Sequence, residues 1–236
     1  MTFPIGPHAG THIFDDFHSN LAVSDGLVGN LNWEMTTINN ASIPSYVAST
    51  NGIMRIETLG TSGDGEAFTL HPDALVLAGT GQVLRCRVRY PDVRLATDTV
   101  DNTIASNNFR IGFSASVTAT EPVVGVWIDS AAGLLSFDCA NTTTDKTKAI
   151  TGVPTLTGGT TMILGIWYDL ELRMSGTNSN GGPADIKCFV DGYPAGEITA
   201  NVINSTEPMA FSLVPWPSTA EERALDIDYY EAWLPR

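Results

Sequence analysis

The sequence of 236 residues is short of positive charge: it has 12 Lys and Arg against 26 Asp and Glu, a formal net charge of −14. Proteins bind nucleic acids and anionic membrane surfaces mainly through clustered Lys and Arg. No basic run is present, so the composition excludes a general nucleic-acid binder and predicts no membrane partner. Long apolar runs are also lacking, since the longest covers residues 162–168, well below the roughly 20 residues of a membrane-spanning helix.

Cysteine is scarce as well. Cys86, Cys139 and Cys188 form neither an even set nor a Cys-x-x-Cys pair, a usage typical of proteins made in a reducing compartment. We predict that all three remain reduced, as small core residues. Residues 1–17 lack the positive and apolar regions of a secretion signal, so we expect a protein that is assembled in the cytoplasm and not secreted.

Helical patterns are nearly absent, whereas β-branched and turn residues are abundant. Short alternating or apolar runs, typical of strands, follow one another without an intervening helical pattern. This arrangement predicts an all-β fold, a two-sheet antiparallel β-sandwich or jelly roll. About fourteen strands are expected, near residues 11–17, 31–36, 43–49, 52–58, 65–70, 82–91, 107–117, 122–129, 133–138, 163–175, 185–191, 195–200, 208–214 and 225–234.

Two dipeptides predict tight turns between these strands. Asn51-Gly52 and Asp191-Gly192 supply the positive φ angles that two-residue β-hairpins require. Each should therefore join two antiparallel neighbours.

The N-terminal residues 1–11 differ from the rest of the chain. Pro4 and Pro7 disfavour a helix or a central strand, which predicts an extended N-terminal arm ahead of a single domain over residues 12–236. The arm is either a frayed terminus or an element that docks on a neighbour. In the second interpretation Phe3 and Ile5 are partner-binding side chains, because burying both apolar groups would stabilise an assembly.

Several short segments carry a family resemblance. Residues 165–173 form a Trp-led strand, residues 186–192 end in Val-Asp-Gly, residues 14–17 are Phe-Asp-Asp-Phe, and residues 225–233 make a closing strand. Together these segments resemble the concanavalin A-like jelly-roll superfamily of lectins and glucanases. The resemblance implies the same two-sheet jelly roll.

The scarcity of Lys and the Thr-, Gly- and Ala-rich strands resemble virion components of tailed bacteriophages, particularly capsid decoration proteins. That resemblance implies a structural, non-enzymatic protein of the virion. Such a protein docks through its arm or a sheet edge on other virion proteins, above all the major capsid protein, and forms a homo-oligomer, with a trimer as one option. The alternative, implied by the superfamily, is a carbohydrate-binding module or laminarinase-like glycoside hydrolase that uses the concave sheet face.

One acidic motif fits the hydrolase alternative. Asp226-x-Asp228-x-x-Glu231 is similar to the Glu-x-Asp-x-x-Glu strand of laminarinase-type glucanases, which implies catalytic carboxylates at these positions. A retaining hydrolase needs two carboxyl groups about 5 Å apart, and Asp226 and Glu231 share a face only if a β-bulge lies between them. We therefore favour a structural strand with outward acidic residues. The side chains then expected to pack inward are Ile227, Tyr229 and Trp233.

Arg85, Arg87 and Arg89 form the one basic stripe of the sequence, and their alternate spacing places them on one face of a strand. Two interpretations are open. The stripe either docks a partner or forms a cross-strand ladder with carboxylates such as Asp169 and Glu171. The ladder is favoured, because carboxylates outnumber arginines.

Two clusters contain metal-ligating residue types, and in both the structural interpretation is favoured, so we predict no cofactor. The first could bind zinc but is interpreted as solvated histidines; it consists of His8, His12 and His18 with Asp15 and Asp16. The second could bind calcium but is interpreted as turn-forming residues; it consists of Asp98, Asp101, Asn102, Asn107 and Asn108.

Tryptophan side chains could stack on sugar rings in the carbohydrate-binding alternative. Trp216 is the first candidate, because Pro215 and Pro217 flank it and indicate a loop. The other four are interpreted as core residues, since most lie in apolar strand patterns. They are Trp33, Trp127, Trp167 and Trp233.

Overall fold

The structure is a computed structural model that describes residues 10–17, 27–28, 33–38, 43–46, 52–58, 65–69, 76–77, 81–93, 101–114, 124–141, 145–179, 181–199, 208–217 and 222–235. These residues form β-strands and no helix, and hence no helix that could span a membrane. The strands are β1 (Gly10–Asp15), β2 (Leu27–Val28), β3 (Trp33–Ile38), β4 (Ile43–Tyr46), β5 (Met54–Thr58), β6 (Gly65–Thr69), β7 (Val76–Leu77), β8 (Val83–Arg89), β9 (Asn107–Ser114), β10 (Gly125–Ala131), β11 (Leu134–Ala140), β12 (Asp145–Ala149), β13 (Tyr168–Ser175), β14 (Asp185–Val190), β15 (Tyr193–Thr199), β16 (Pro208–Pro217) and β17 (Arg223–Pro235).

The strands form two antiparallel sheets. The eight-stranded sheet has the order β15-β14-β13-β8-β17-β5-β4, and β1 also pairs with β17. The nine-stranded sheet has the order β12-β11-β10-β9-β16-β6-β3-β2, and β7 also pairs with β16. The predicted all-β, two-sheet sandwich is confirmed.

The core lies between the two sheets. On β8 buried and part-exposed side chains alternate, as a strand with one face on the core requires. Aromatic rings meet across the interface: Tyr90 and Phe109 have centroids 5.6 Å apart, and Phe211 and Tyr230 are 5.6 Å apart in an edge-on arrangement. Such edge-on and tilted pairs stabilise a core beyond the area they bury.

All fourteen predicted strands overlap observed ones, and three further strands are present, β2, β7 and β12. β2 and β7 have only two residues each, too few to show a period. β12 has the polar sequence Asp-Lys-Thr-Lys-Ala and lies at the edge of its sheet. Charged, exposed edge strands protect a sheet against pairing with other chains, but they lack the apolar alternation that identifies a strand.

One of the two predicted hairpins is confirmed. Asp191 and Gly192 have φ angles of 51° and 79° and join the directly paired Val190 and Tyr193, a two-residue turn with both φ angles positive. The other turn differs from the prediction. β4 and β5 are antiparallel, but their described register pairs Tyr46 with Met54, which does not fit a two-residue turn at Asn51-Gly52; residues 47–51 lie outside the described residues.

The last two residues of the predicted arm belong to a strand, and residues 1–9 lie outside the described residues. β1 begins at Gly10, so Gly10 and Thr11 already pair with β17. The reason is that Ile13 packs against the core, and the strand extends from it by backbone hydrogen bonds to β17. Phe3 and Ile5 lie outside the described residues.

The three cysteines are free and buried, which confirms the prediction that they are core residues; that they remain reduced stays a prediction. Burial raises the pKa of the Cys86 and Cys188 thiols far above the usual value. Both thiols therefore stay protonated and unreactive at neutral pH.

Candidate functional site

The outer face of the eight-stranded sheet carries the row Arg85, Arg87 and Arg89, here termed the arginine row. These side chains are part-exposed, while those between them on β8 are buried. Nη2 of Arg85 lies 2.6 Å from Oε2 of Glu171, and Nε of Arg87 lies 3.8 Å from Oδ1 of Asp169. Both carboxylates belong to the neighbouring strand β13, so the expected cross-strand ladder is present.

A β-bulge in β17 brings its three acidic residues to the same outer face. The register with β8 shifts between Ile227 and Tyr229, which changes the alternation of all later residues. Carboxylate oxygens of Asp226, Asp228 and Glu231 lie 2.9, 3.3 and 3.9 Å from guanidinium nitrogens of the arginine row. The arginine row therefore lies between two acidic strands, β13 and β17.

The bulge also corrects the prediction of which side chains pack inward. Ile227 is buried as expected, but the later inward positions belong to Tyr230 and Ala232. Tyr229 and Trp233, expected to face the core, lie on the outer face instead. The extra residue in the bulge is the physical reason, because it shifts the two-residue period by one.

Asp226 is unsuited to the catalytic role that the glucanase resemblance implies. Its side chain is 0% exposed. Nε and Nη2 of Arg55 bind its two oxygens at 2.7 and 3.0 Å, and Arg89 binds one of them at 2.9 Å. A nucleophile must reach the sugar, whereas this carboxylate is enclosed by two guanidinium groups and holds three strands together.

Aromatic rings on this face contact one another or the arginine row. Trp233 stacks on His12 with centroids 5.1 Å apart, and two guanidinium groups of the row lie 4.5 and 5.6 Å from the ring of Trp167. Tyr229 donates a hydrogen bond to Asp169 at 3.0 Å. Burial raises the pKa of Tyr229, and the charge of Asp169 raises it further. The face thus satisfies its own polar groups.

The proposed zinc ligands are not brought together. His12 lies on β1 rather than in a solvated arm, with Nε2 2.8 Å from Oε1 of Glu231. Asp15 faces inward, where it accepts hydrogen bonds from the indole of Trp33 and the backbone of Phe17. His8 and His18 lie outside the described residues, and the part of the chain that the structure describes contains no group of three or more His, Cys, Asp or Glu suited to a metal.

The asparagines of the proposed calcium loop serve as backbone anchors, as the turn interpretation expects. The side chain of Asn102 donates to the carbonyls of Pro91 and Ala224 and accepts from the Ala224 amide. Asn107 also donates to the Ala224 carbonyl, and Asn108 accepts from the backbone near the tip of the β10–β11 hairpin. Because these oxygens and amides are occupied, the residues do not fit a calcium site. Asp98 lies outside the described residues.

A second polar cluster, missed by sequence reasoning, lies on the outer face of the nine-stranded sheet. Arg110 on β9 pairs in register with Asp129 on β10, with Nη2 2.8 Å from Oδ2. The guanidinium group lies 5.1 Å from the ring centroid of Trp127. Asp138 on β11 is the register partner of Trp127 and accepts a hydrogen bond from Thr147. These five residues are termed the polar cluster.

The polar cluster points away from the core and is nevertheless enclosed. Ile111 and Ile128, which alternate with its residues, belong to the core. The Arg110 side chain is 6% exposed and that of Asp129 is 22% exposed. Within the described ranges, the buried indole N–H of Trp127 has no hydrogen-bond partner. Since an unpaired buried donor is unfavourable by roughly 1–3 kcal/mol, this N–H is a place where a ligand would add a missing bond.

Two glycines shape the floor beside Trp127. A Cβ at Gly112 would lie 2.1 Å from a backbone oxygen of β10, and a Cβ at Gly125 would lie 3.0 Å from Cε3 of Trp127. Neither position has room for a side chain, so the indole lies along a strip of small residues. The strip continues in Ser114 and Ser212, whose hydroxyls are 3.0 Å apart.

Trp216 lies in β16, paired with Asn108 of β9, and not in the loop predicted from its flanking prolines. Pro215 and Pro217 are tolerated because the described pairing of β16 with β6 ends at Leu213. Beyond that point β16 needs no backbone donors toward β6. The side chain of Trp216 lies outside the described part of the structure.

The sequence contains a signal for the polar cluster. Arg110 and Asp129 each stand alone within an apolar strand run, and β9 is buried along its whole length. A charge in a doubly buried strand requires a partner of opposite charge. Two such isolated charges of opposite sign on consecutive strands are a signal for the Arg110–Asp129 pair, although not for the position of Trp127 beside it.

Comparisons with known proteins identify the fold. No protein-family model matches the chain, and no curated protein matches its sequence. Among solved structures, a protein of unknown function from Shewanella oneidensis MR-1 superposes with a TM-score of 0.62 at 12% identity, covering 100% of this chain and 90% of that one. The endo-β-1,4-glucuronan lyase of the fungus Trichoderma reesei gives 0.58 at 14% identity, with 93% and 94% covered. The carbohydrate recognition domain of Emp47p gives 0.57 at 9% identity, with 95% of each chain covered.

These similarities establish a concanavalin A-like jelly roll, the fold that the sequence resemblance implied. At identities of 9–14% they carry the fold alone. None of the three supports the virion role, the capsid partner or the virion location, which stay predictions.

Proposed function

We propose that this protein binds carbohydrate on the outer face of its nine-stranded sheet, at the polar cluster. The observation that carries the proposal is the juxtaposition of Trp127, Arg110 and Asp129 on an enclosed face with a floor of glycine and serine. Sugar-binding sites combine an aromatic surface for the apolar side of a pyranose ring with a few fixed hydrogen-bonding groups. The fold is compatible, since similar structures include a glucuronan lyase and a carbohydrate recognition domain.

Each member of the cluster has a distinct role in this proposal. The Trp127 side chain is 3% exposed, so the cluster must open for a sugar to pack against its ring, and the N–H then donates to a hydroxyl. Arg110 and Asp129 hold each other at 2.8 Å, so both are oriented before the ligand arrives and little conformational entropy is lost on binding. Asp129, the more exposed of the two, marks the side from which a ligand enters.

Binding is favoured over cleavage. Glycoside hydrolysis needs a pair of carboxyl groups, one of them protonated, on either side of the scissile bond. Asp129 is held by Arg110, and Asp138 accepts a hydrogen bond from Thr147. Both carboxylates therefore already have partners, and in the β17 motif Asp226 is enclosed by its arginines.

The test is a glycan array probed with the wild-type protein and with three variants. The array should contain β-linked glucans and glucuronans. Glucuronans are included because one similar structure is a glucuronan lyase. We expect binding of at least one β-linked oligosaccharide, weakened at least about tenfold by Trp127→Phe, which keeps an aromatic ring but removes the indole N–H and part of the ring surface, and by Asp129→Asn. A hydrogen bond to a charged group is worth about 1.5–3 kcal/mol, which supports that factor for Asp129.

Trp167→Ala is the matched control, because Trp167 lies on the outer face of the other sheet. Thermal unfolding of each variant verifies that the fold is kept. Binding that is lost in the Trp167 variant but kept in both cluster variants would contradict the proposal. So would the absence of any glycan signal at millimolar ligand.

A further inference from the structure

The outer face of the eight-stranded sheet has the composition of a protein–protein interface. It carries five arginines and one lysine in ion pairs, Arg55, Arg85, Arg87, Arg89, Arg173 and Lys187. Its aromatic side chains include Trp167, Trp233, Tyr229, Phe14 and Phe189. Interfaces are enriched in Trp, Tyr, Phe and Arg and depleted in Lys. Phe14 is 47% exposed, although burial would stabilise it.

The cations of this face are paired, and most of the chain's negative charge lies elsewhere. The six cations are paired with six carboxylates, which are Asp169, Glu171, Glu197, Asp226, Asp228 and Glu231. Glu57 on β5 and Asp185 on β14 lie on the same face, and the charge of Glu222 acts on Glu57. These three carboxylates leave a local charge near −3, against −14 for the whole chain. Two copies that meet here keep most of their like charge apart, beyond the roughly 8 Å over which salt screens it.

The face is also large enough. Seven strands lie side by side in the order given for this sheet, and at about 4.8 Å per strand they span about 34 Å. β8 has seven residues, which extend over about 24 Å. The product is of the order of 800 Å², the area that each partner contributes to an interface of standard size.

The charge rows are complementary to a second copy of themselves. The arginine row of β8 has an acidic row on each side, on β13 and on β17. A two-fold axis parallel to the strands and between β8 and β17 places the arginine row of one copy over the acidic row of the other. A two-fold symmetric dimer requires this kind of self-complementary patch.

We propose that two copies of this chain associate through the outer faces of their eight-stranded sheets. The arginine and acidic rows set the alignment, and the aromatic side chains around them become buried. The sugar site proposed above lies on the opposite sheet, so the dimer interface does not cover it, and neither proposal depends on the other.

Sedimentation equilibrium of the full chain tests this proposal. The wild type should sediment at about 50 kDa, twice the 25.2 kDa of one chain, at micromolar concentration. Phe14→Glu places an unpaired charge in the interface. Arg87→Glu reverses the charge at the middle of the arginine row, where the Arg87 side chain is 41% exposed. Each variant should raise the dissociation constant at least about tenfold, which corresponds to about 1.4 kcal/mol, because a charge reversal or a buried unpaired charge at an interface is strongly unfavourable.

Leu134→Glu is the matched control, since Leu134 is 53% exposed at the β10–β11 hairpin of the other sheet. It should leave the dissociation constant unchanged, and circular dichroism verifies the fold of all three variants. A wild type that stays monomeric at 100 μM would overturn the proposal. A dimer that persists in the folded face variants, or that Leu134→Glu weakens equally, would overturn it as well.

Discussion

Replacing Asp226 by Asn tests whether this residue holds the eight-stranded sheet together. Its carboxylate joins β17 to β5 through Arg55 and to β8 through Arg89, with three hydrogen bonds of 2.7 to 3.0 Å. Asn has the same shape but no charge, and its amide group points a donor at guanidinium groups that are themselves donors. Two arginines are then left without a counter-charge.

The expected loss is about 3 kcal/mol of unfolding free energy. Removing one partner of a buried ion pair is unfavourable by about 3–5 kcal/mol. The lower end applies, because Arg55 and Arg89 keep some contact with water. For a chain of this size 1 kcal/mol corresponds to about 2–4 °C in Tm, so Tm should fall by about 6–12 °C.

Asp228→Asn on the same strand is the control. Asp228 is part-exposed and makes one 3.3 Å contact with Arg87, so its replacement should decrease stability by no more than about 1 kcal/mol. Urea unfolding followed by tryptophan fluorescence gives both values from midpoint and slope. Equal losses in the two variants, or a loss below 1 kcal/mol for Asp226→Asn, would refute the role assigned to Asp226.

Three further predictions follow from buried groups. In the native protein Cys86 and Cys188 should resist alkylation. After unfolding without reductant, the mass of the alkylated protein should show three modified thiols, and two or fewer would indicate a disulfide. Burial raises the pKa of Cys86, Cys188, Tyr90 and Tyr230. Since only the unfolded chain releases these protons above pH 9 to 10, these groups should leave stability unchanged between pH 7 and 9 and lower it at higher pH, by up to about 1.4 kcal/mol per group and pH unit. A Tm unchanged up to pH 11 would contradict this. Gly112→Ala should decrease stability by about 1–3 kcal/mol, because a Cβ there meets backbone at 2.1 Å; an unchanged urea midpoint would show that β9 and β10 are not in close contact there.

The alternation of apolar and polar residues and the turn-forming dipeptides predicted most of the fold. The alternation of β8 identified the buried and outer sides of its strand, and Asp191-Gly192 identified its hairpin, because each signal is local and has one structural solution. Asn51-Gly52 correctly predicted that β4 and β5 pair antiparallel, but the two-residue turn predicted from it does not fit their register. A positive φ at Gly52 is compatible with several turn types, and the register of β4 with β5 does not fit the two-residue type.

The candidate sites depended on features that the sequence does not show. A single extra residue near Asp228 reversed the sides of Tyr229 and Tyr230, and no residue type requires a bulge at that position. The importance of Trp127 and Arg110 depends on the pairing of β9 with β10 and on the glycine opposite Trp127. The prolines beside Trp216 predicted a loop, because proline usually interrupts strands.

The most direct test of the proposed sugar site is a crystal structure of the protein soaked with an array-positive oligosaccharide at saturating concentration. The account predicts electron density for a pyranose ring against the Trp127 indole, with a hydroxyl within about 3 Å of its N–H and polar contacts to Arg110 and Asp129. Density confined to the Trp167 and Trp233 side of the molecule would contradict it, and so would an empty polar cluster at saturating ligand.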